Sequence, residues 1–433
     1  MLSLIVVGAI ALAIVLGYKT RINIGLYAIA FAYIIGCFVM GMKPADVIKL
    51  WPLKIFFIIF SVSLFYSFAT INGTLERLAE HLMYRCRNAP HLLPYAVFAT
   101  ATLISGLGAG YYTVLAFMAP LTLLLCQRTG MSMIIGAMSV NYGALAGANF
   151  VSSQSGIIFR GLMMNAGISD EQAFTDALGI FISTLVIPLI VITGMVFLGG
   201  NRERMAQADI GSALPQAFNS QQKMTLFLTV LMMALVLIFP ILHIVLPESS
   251  AITFINSKVD IGLIASVFSV IALMLKLGDE RKAIASLPWG TIIMICGVGM
   301  LISIAIKAGT IDSLASWIGT TIPAALVPLA FGVVGALMSL FASTLGVVTP
   351  ALFPIVPSIA ATLGIDPMII FISIVVGAQA TSISPFSSGG SLILGACTSE
   401  ESRSSLFPQL LFRAAPLGFA AALVYNVAMT FIY

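Results

Sequence analysis

The chain has 433 residues, of which 60% are hydrophobic and only 8% charged; its net charge is +4 and its mean hydropathy +1.10. Soluble domains are roughly 45–50% apolar and about 25% charged, so a soluble enzyme is excluded and no nucleic-acid partner is expected. The composition is that of an integral membrane protein.

Apolar runs close to the roughly 20 residues that cross a bilayer recur along the whole length, which predicts helical spans and not the short alternating strands of a barrel. The first, Leu2 to Gly17, has no basic segment before it, and Lys19 and Arg21 follow it, so it reads as a span and not as a signal peptide. Further spans are expected near Ile24 to Met40 and Pro52 to Ile71. Between Asn72 and Asn88, Leu75, Leu78, Ala79 and Leu82 recur at helical spacing among charges, the pattern of an amphipathic helix lying in the lipid interface. The next apolar stretch, His91 to Leu125, is interrupted at SGLGAG, Ser105 to Gly110. Each of its arms is short for a full crossing, which predicts a re-entrant hairpin, with a pair of true spans as the alternative.

Then comes GALAGANFVSSQSG, Gly143 to Gly156, a run of small and polar residues inside apolar sequence. Such a run would be costly against lipid, and irregular backbone at membrane depth survives only against protein or a wet cavity. A discontinuous helix lining a substrate site is expected here, packing of small residues being the blander alternative. A last span follows from Phe174 to Leu198, and a polar link, 199–223, leads to the second half.

The second half repeats these events. Spans are expected near Met224 to Ile244, Ile261 to Leu277 and Trp289 to Ile306. Ala308 to Ile318 pairs with the interfacial helix, and Ala324 to Leu363 is interrupted at SLFASTLG, Ser339 to Gly346. GAQATSISPFSSGG, Gly377 to Gly390, aligns without a gap with Gly143 to Gly156 at an offset of 234 (377 − 143), matching Ser153 with Ser387 and Gly156 with Gly390. The final span runs from about Phe412 to Tyr433. The fold class predicted is an all-α polytopic membrane protein of two repeats, each with three spans, a re-entrant hairpin, a broken helix and a final span. Five crossings per half is an odd number, which turns the second half upside down and gives about ten crossings. The larger share of the 20 lysines and arginines then falls on one side, which places both termini outside the cytoplasm.

Candidate binding residues follow from the two breaks: Asn149, Ser152, Ser153, Gln154, Ser155 and Gly156 in the first, Thr381, Ser382, Ser384, Pro385, Ser387, Ser388 and Gly389 in the second. The hairpin tips add Ser105, Gly108, Gly110, Tyr111 and Thr113, and Ser339, Ser343, Thr344 and Thr349. Ser153 and Ser387 are expected to present their hydroxyls to one bound anion.

None of the 16 acidic residues falls in the interior of a predicted span, hairpin tip or broken segment; Asp170, Asp176, Asp312 and Asp366 sit near ends. Hydroxyls, amides and backbone N–H groups suit an anion. Two broken helices contribute roughly half a positive charge each, which leaves a dianion half balanced. Sodium ions held near Gly108, Asn149, Ser343 and Thr381, or Arg160 turned inward, would supply the rest; an Arg160 anchored at the outer interface is the favoured reading of that residue. The five cysteines show no C-x-x-C spacing, and His81, His91 and His243 lie near span ends, so no cofactor, metal centre, disulfide framework or histidine proton relay is indicated.

The paired hairpins and breaks resemble the ion-transporter superfamily that includes the divalent-anion/sodium symporters. RINIGLYAIAFAYIIGCFVMGMKPADVI followed by NGTLERLAEHL is similar to the malonate/dicarboxylate carrier family within it. The resemblance implies a homodimer in a bacterial inner membrane that carries a small organic anion, a dicarboxylate above all, by an elevator motion driven by sodium. Residues 1–90 and 224–323 would form a fixed scaffold, and 91–198 and 324–433 a moving transport part. Ten residues before Pro120 and Pro354, where sodium-coupled relatives carry Ser-Asn-Thr, this chain has Gly110-Tyr111-Tyr112 and Thr344-Leu345-Gly346. A carrier of arsenite, sulfate or a sugar acid, and proton coupling, are the alternatives within the fold. An ion channel or an intramembrane enzyme fits less well, since the two breaks are unequal and no catalytic pair lies at membrane depth.

Overall fold

The structure is a computed structural model that describes residues 2–20, 22–85, 92–198, 215–246, 249–256, 258–310, 321–339, 343–397 and 399–429. Most of the link 199–223, the segment 311–320 with Asp312, and the end of the last span lie outside the described residues. Among the described residues the regular structure is helical throughout.

The first half runs α1 (Leu2–Thr20), α2 (Ile24–Tyr33, continued by a wider turn Ile34–Val39), α3 (Leu53–Ile71) and α4 (Thr74–Arg85). The hairpin follows as α5 (Leu93–Ile104), a tip Ser105–Ala109 and α6 (Tyr111–Thr129). The broken helix is α7 (Met133–Ala148) and α8 (Gln154–Asn165), and α9 (Asp170–Leu198) closes the half. The second half gives α10 (Ser220–Val245), α11 (Ile261–Met274) and α12 (Trp289–Lys307). Its hairpin is α13 (Val327–Ser339), a tip Thr344–Val348 and a return arm ending in α14 (Val356–Leu363). The second broken helix is α15 (Pro367–Ala380) and α16 (Ser388–Gly395); α17 (Glu400–Gln409) and α18 (Ala415–Met429) form the last span.

Five helical stretches among the described residues are long and apolar enough to cross a membrane, and Ser250–Asn256 with Ile261–Met274, bent by 68°, would make a sixth. One of the five is Thr344–Leu363, the return arm of the second hairpin, which the sequence had suggested was too short. The arms of each hairpin are in fact unequal. The 12 residues of α5 and 13 of α13 reach only about 18–20 Å, whereas the 19 of α6 reach about 28 Å, close to a bilayer core.

Helices exchange partners between the halves. α2 packs on α12 and α11 on α3, while within each half the hairpin arm lies on the broken helix, α5 on α7 and α13 on α15. Glycines set that last approach: a Cβ on Gly143 would meet Phe98 O at 2.5 Å, and one on Gly377 would meet Gly332 O at 2.0 Å, the same pair of places 234 residues apart. Without an expelled-water driving force in lipid, such close backbone approach is a main source of helix association.

The broken helices also change core at their breaks. Ile158, Phe159, Leu162 and Met163 of α8 pack in the apolar cluster of the second hairpin, with Phe159 5.7 Å from Phe353. Ile393 and Leu394 of α16 pack in the cluster of the first, beside Met118 and Ile135. The two hairpin-and-break units are therefore interlocked, each holding the far half of the other's broken helix.

Candidate functional site

The interlock brings both breaks together at one crossing. The side chains of Asn149 and Gln379 form a reciprocal amide pair, Nδ2 to Oε1 at 2.9 Å and Nε2 to Oδ1 at 3.0 Å, and Asn149 Nδ2 also donates to Thr184 Oγ1 at 2.9 Å. Asn149 is fully buried and Gln379 nearly so. A buried amide left unpaired costs about 1–3 kcal/mol, so each break satisfies the other.

Beside this crossing lies a small open cleft between the two hairpin tips and the second break. Of the residues expected from the sequence, Tyr111, Ser155, Ser339, Ser343, Thr344, Ser382, Ser387, Ser388 and Gly389 line it, joined by Tyr112, Leu145, Leu345 and Gln379. A hydrogen-bond chain holds its wall. Tyr111 Oη donates to Asn141 Oδ1 (2.7 Å), Asn141 Nδ2 to Ser382 Oγ (3.1 Å), and Ser382 Oγ to Gln379 O (2.7 Å). Across the mouth the hydroxyls of Tyr112 and Ser343 stand 3.5 Å apart, and Ser339 Oγ and Thr344 Oγ1 are 3.2 Å apart within the second tip.

Helix starts converge on this cleft. Tyr111 and Tyr112 open α6, Ser155 is in the first turn of α8, Ser388 and Gly389 open α16, and Thr344 and Leu345 open the turn of the second tip. The first backbone N–H groups of a helix have no intrahelical acceptor and attract anions. At α8 and α6 no side chain caps them. The breaks alone had been expected to supply this polarity; the tips double the number of helix starts.

Ser153 and Ser387 occupy equivalent, extended positions before α8 and α16 but use their hydroxyls differently. Ser153 Oγ donates to Ser105 O at 2.6 Å, tying the first break to the first tip. Ser387 Oγ bonds Ser382 O and Ser384 O and accepts the N–H of Gly390 at 3.3 Å, capping α16. Both hydroxyls are thus committed to the protein, which corrects the expectation that they face one anion, and only Ser387 lines the cleft.

The other expected residues build the frame. Thr381 Oγ1 donates to Ala336 O at 2.8 Å and Thr349 Oγ1 to Thr344 O at 3.1 Å, while Ser384 Oγ accepts from Phe386 N at 3.3 Å. Pro385 is buried in the second break, and Gly156 abuts Phe150 O. Gly108, Thr113 and Gln154 line a second open cleft against α3, and Gly110 lies flush on Gln154. There Tyr66 of α3 donates to Ser152 O at 3.2 Å, and its ring covers Gly108. The four positions expected to hold sodium are thereby divided: Asn149 and Thr381 have protein partners, and Gly108 and Ser343 line different clefts.

Arg160 does not reach the cleft between the tips. Its Nη2 and Nε lie 2.6 and 2.9 Å from Asp170 Oδ1, and its guanidinium sits 5.5 Å from the Phe174 ring centre, in a third cleft shared with Lys54 and Asp260. Asn141, Gln379, Tyr112 and Tyr66 are the residues that sequence reasoning missed. An amide in the middle of an apolar helix was the available signal for Asn141; the repeat hid it, because Val375 stands at the matching place.

A solved structure with a similar fold is that of the YdaH transporter of Alcanivorax borkumensis, described as having an unusual topology. The match has a TM-score of 0.64 at 17% identity and covers 92% of this chain and 88% of that one. No curated protein matches the sequence. The fold is similar to that of a transporter. The stretch that carries the first tip, its two tyrosines and Asn141, residues 1–148, matches the family model described as dicarboxylate carrier protein MatC N-terminus, and the long apolar helices are those of a multi-pass membrane protein.

Proposed function

We propose that the chain is a secondary carrier of small dicarboxylates and that the dianion sits in the cleft between the two tips. The observation that carries this reading is the convergence of four helix starts on one cleft that has no Asp, Glu, Lys, Arg or His among its lining residues. Each start presents roughly half a positive charge, so four offer about two units, the magnitude of a dicarboxylate. A cation would be repelled there, and a monoanion would leave the site over-charged. The family model matched by residues 1–148 supports the same substrate class.

In this reading the interlocked hairpins and breaks move as one body against α1–α3 and α10–α12 in an elevator motion. Sodium is the coupling ion, and the carrier works as a homodimer in a bacterial inner membrane. Uptake into proteoliposomes with labelled dicarboxylates, sulfate, a sugar acid and arsenite tests it, with sodium and proton gradients imposed separately. Dicarboxylate uptake that follows sodium and survives collapse of the proton gradient is expected. Preference for another anion, or uptake driven by protons without sodium, would defeat the corresponding part.

Topology gives an independent check. Cysteines at Asp279 and Lys258, on either side of α11, are expected to label from the cytoplasm and from outside respectively. Labelling of both from one side would show that α11 does not cross.

A further inference from the structure

The open cleft against α3 takes no part in the function proposed above, yet α3 turns a row of hydroxyls toward it. Ser63, Tyr66, Ser67 and Thr70 all line it, at the i, i+3, i+4, i+7 spacing of one helix face. Such a stripe is costly against lipid and is kept where it meets protein or water. Tyr66 donates to Ser152 O at 3.2 Å and Ser67 to Leu64 O at 2.7 Å, whereas the half-buried Ser63 and Thr70 have no side-chain hydrogen bond among the described residues. No Asp, Glu, Lys, Arg or His belongs to the lining, and Ser286, exposed to the outside, does.

This cleft shares a wall with the one between the tips. Tyr112 lines both, and Gln154 lines this one while its neighbour Ser155 lines the other. The wall consists of two half-buried side chains that are loosely held. The hydroxyl of Tyr112 is 3.5 Å from Ser343 Oγ, long for a hydrogen bond, and its ring leans on that of Tyr111 with 5.0 Å between centres. Gln154 has no hydrogen-bond partner among the described residues and only closes against Gly110, where a Cβ would stand 2.3 Å from its Oε1. Both residues belong to the first turns of α6 and α8, which no side chain caps, so an anion crossing here stays within the field of the same two helix starts. We infer that the α3 cleft is the entry route of the dicarboxylate site and that Tyr112 and Gln154 are the wall the anion passes. The inference rests on the carrier reading and adds to it the way by which the anion arrives.

The test times the binding and release of labelled malonate on the purified protein and measures its equilibrium affinity. A wall enters the barrier and not the bound state, so Tyr112→Ala and Gln154→Ala should each speed binding and release together by about ten-fold. Ser63→Trp, which fills the α3 cleft away from the tips, should slow both by a similar factor and leave the dissociation constant within about two-fold of the parent. Rates unchanged in Ser63→Trp would place the entry elsewhere, and an affinity loss carried by release alone would make Tyr112 and Gln154 ordinary contacts. A second measurement needs no dicarboxylate. Ser155→Cys, buried in the tip cleft, is modified with a water-soluble, negatively charged thiol reagent and compared with the parent's own cysteines. Adding Tyr112→Ala should quicken the reaction about ten-fold, and adding Ser63→Trp should slow it. Malonate binding together with labelling that ignores both changes sinks the route alone. Labelling that follows them in a protein that binds no dicarboxylate sinks the carrier reading alone.

Discussion

Gly389→Ala is expected to remove most dicarboxylate binding while the protein still inserts and folds. A Cβ at this position would stand 2.0 Å from Tyr111 Oη, 2.7 Å from Ser382 O and 2.8 Å from Asn141 Oδ1. One of these is backbone, and the other two are joined to each other and to Ser382 Oγ by hydrogen bonds. The methyl group therefore cannot be absorbed by one side chain swinging away; the wall of the cleft must move. Overpacking of this kind costs about 1–3 kcal/mol, which is about ten- to a hundred-fold in affinity if it falls on the bound state. Gly395→Ala is the control, because at the far end of the same helix a Cβ would meet nothing within 4 Å. Dicarboxylate affinity and unfolding midpoints of both variants decide the matter. A Gly389→Ala protein that binds within about two-fold of the parent would show that the anion sits elsewhere.

What the sequence reveals about this fold is whatever repeats or breaks a period. Both breaks and both tips stand out because glycine, proline and hydroxyl residues interrupt apolar helices, and the offset of 234 ties each to its partner. The polar residues so found mostly reach the cleft or its frame. What stays hidden is set by tertiary exchange. Nothing in the pattern of α8 says that its apolar side chains belong to the core of the second hairpin, since a buried helix looks apolar whichever core it enters. The different duties of Ser153 and Ser387 are hidden for the same reason. Their sequence places match, but Ser105 O lies within reach of the first and the carbonyls of its own loop within reach of the second. Helix length misled in one place: the return arm Thr344–Leu363 reads as short for a crossing once the stretch is cut at Ser339 to Gly346, yet it continues as a chain of short helical pieces.

The amide pair at the crossing is where the interlock can be measured. Asn149→Leu leaves both amide atoms of Gln379 without their partner and takes one donor from Thr184, all of them buried. Each orphaned buried group costs about 1–3 kcal/mol, and Gln379→Leu should cost a similar amount through Asn149. The double variant removes both polar groups together. Apolar side chains of comparable size can then fill the crossing, and the loss should be clearly smaller than the sum of the single losses. A coupling of about 1–3 kcal/mol in a double-mutant cycle is expected, against the roughly 0.3–0.5 kcal/mol scatter of independent sites. Unfolding measurements on the parent, the two single variants and the double variant give the cycle. Transport should fall with stability in the single variants and recover in part in the double one, because the breaks would again be braced, now by packing. Additive losses would mean that the two broken helices are held at their crossing by the surrounding helices and not by Asn149 and Gln379.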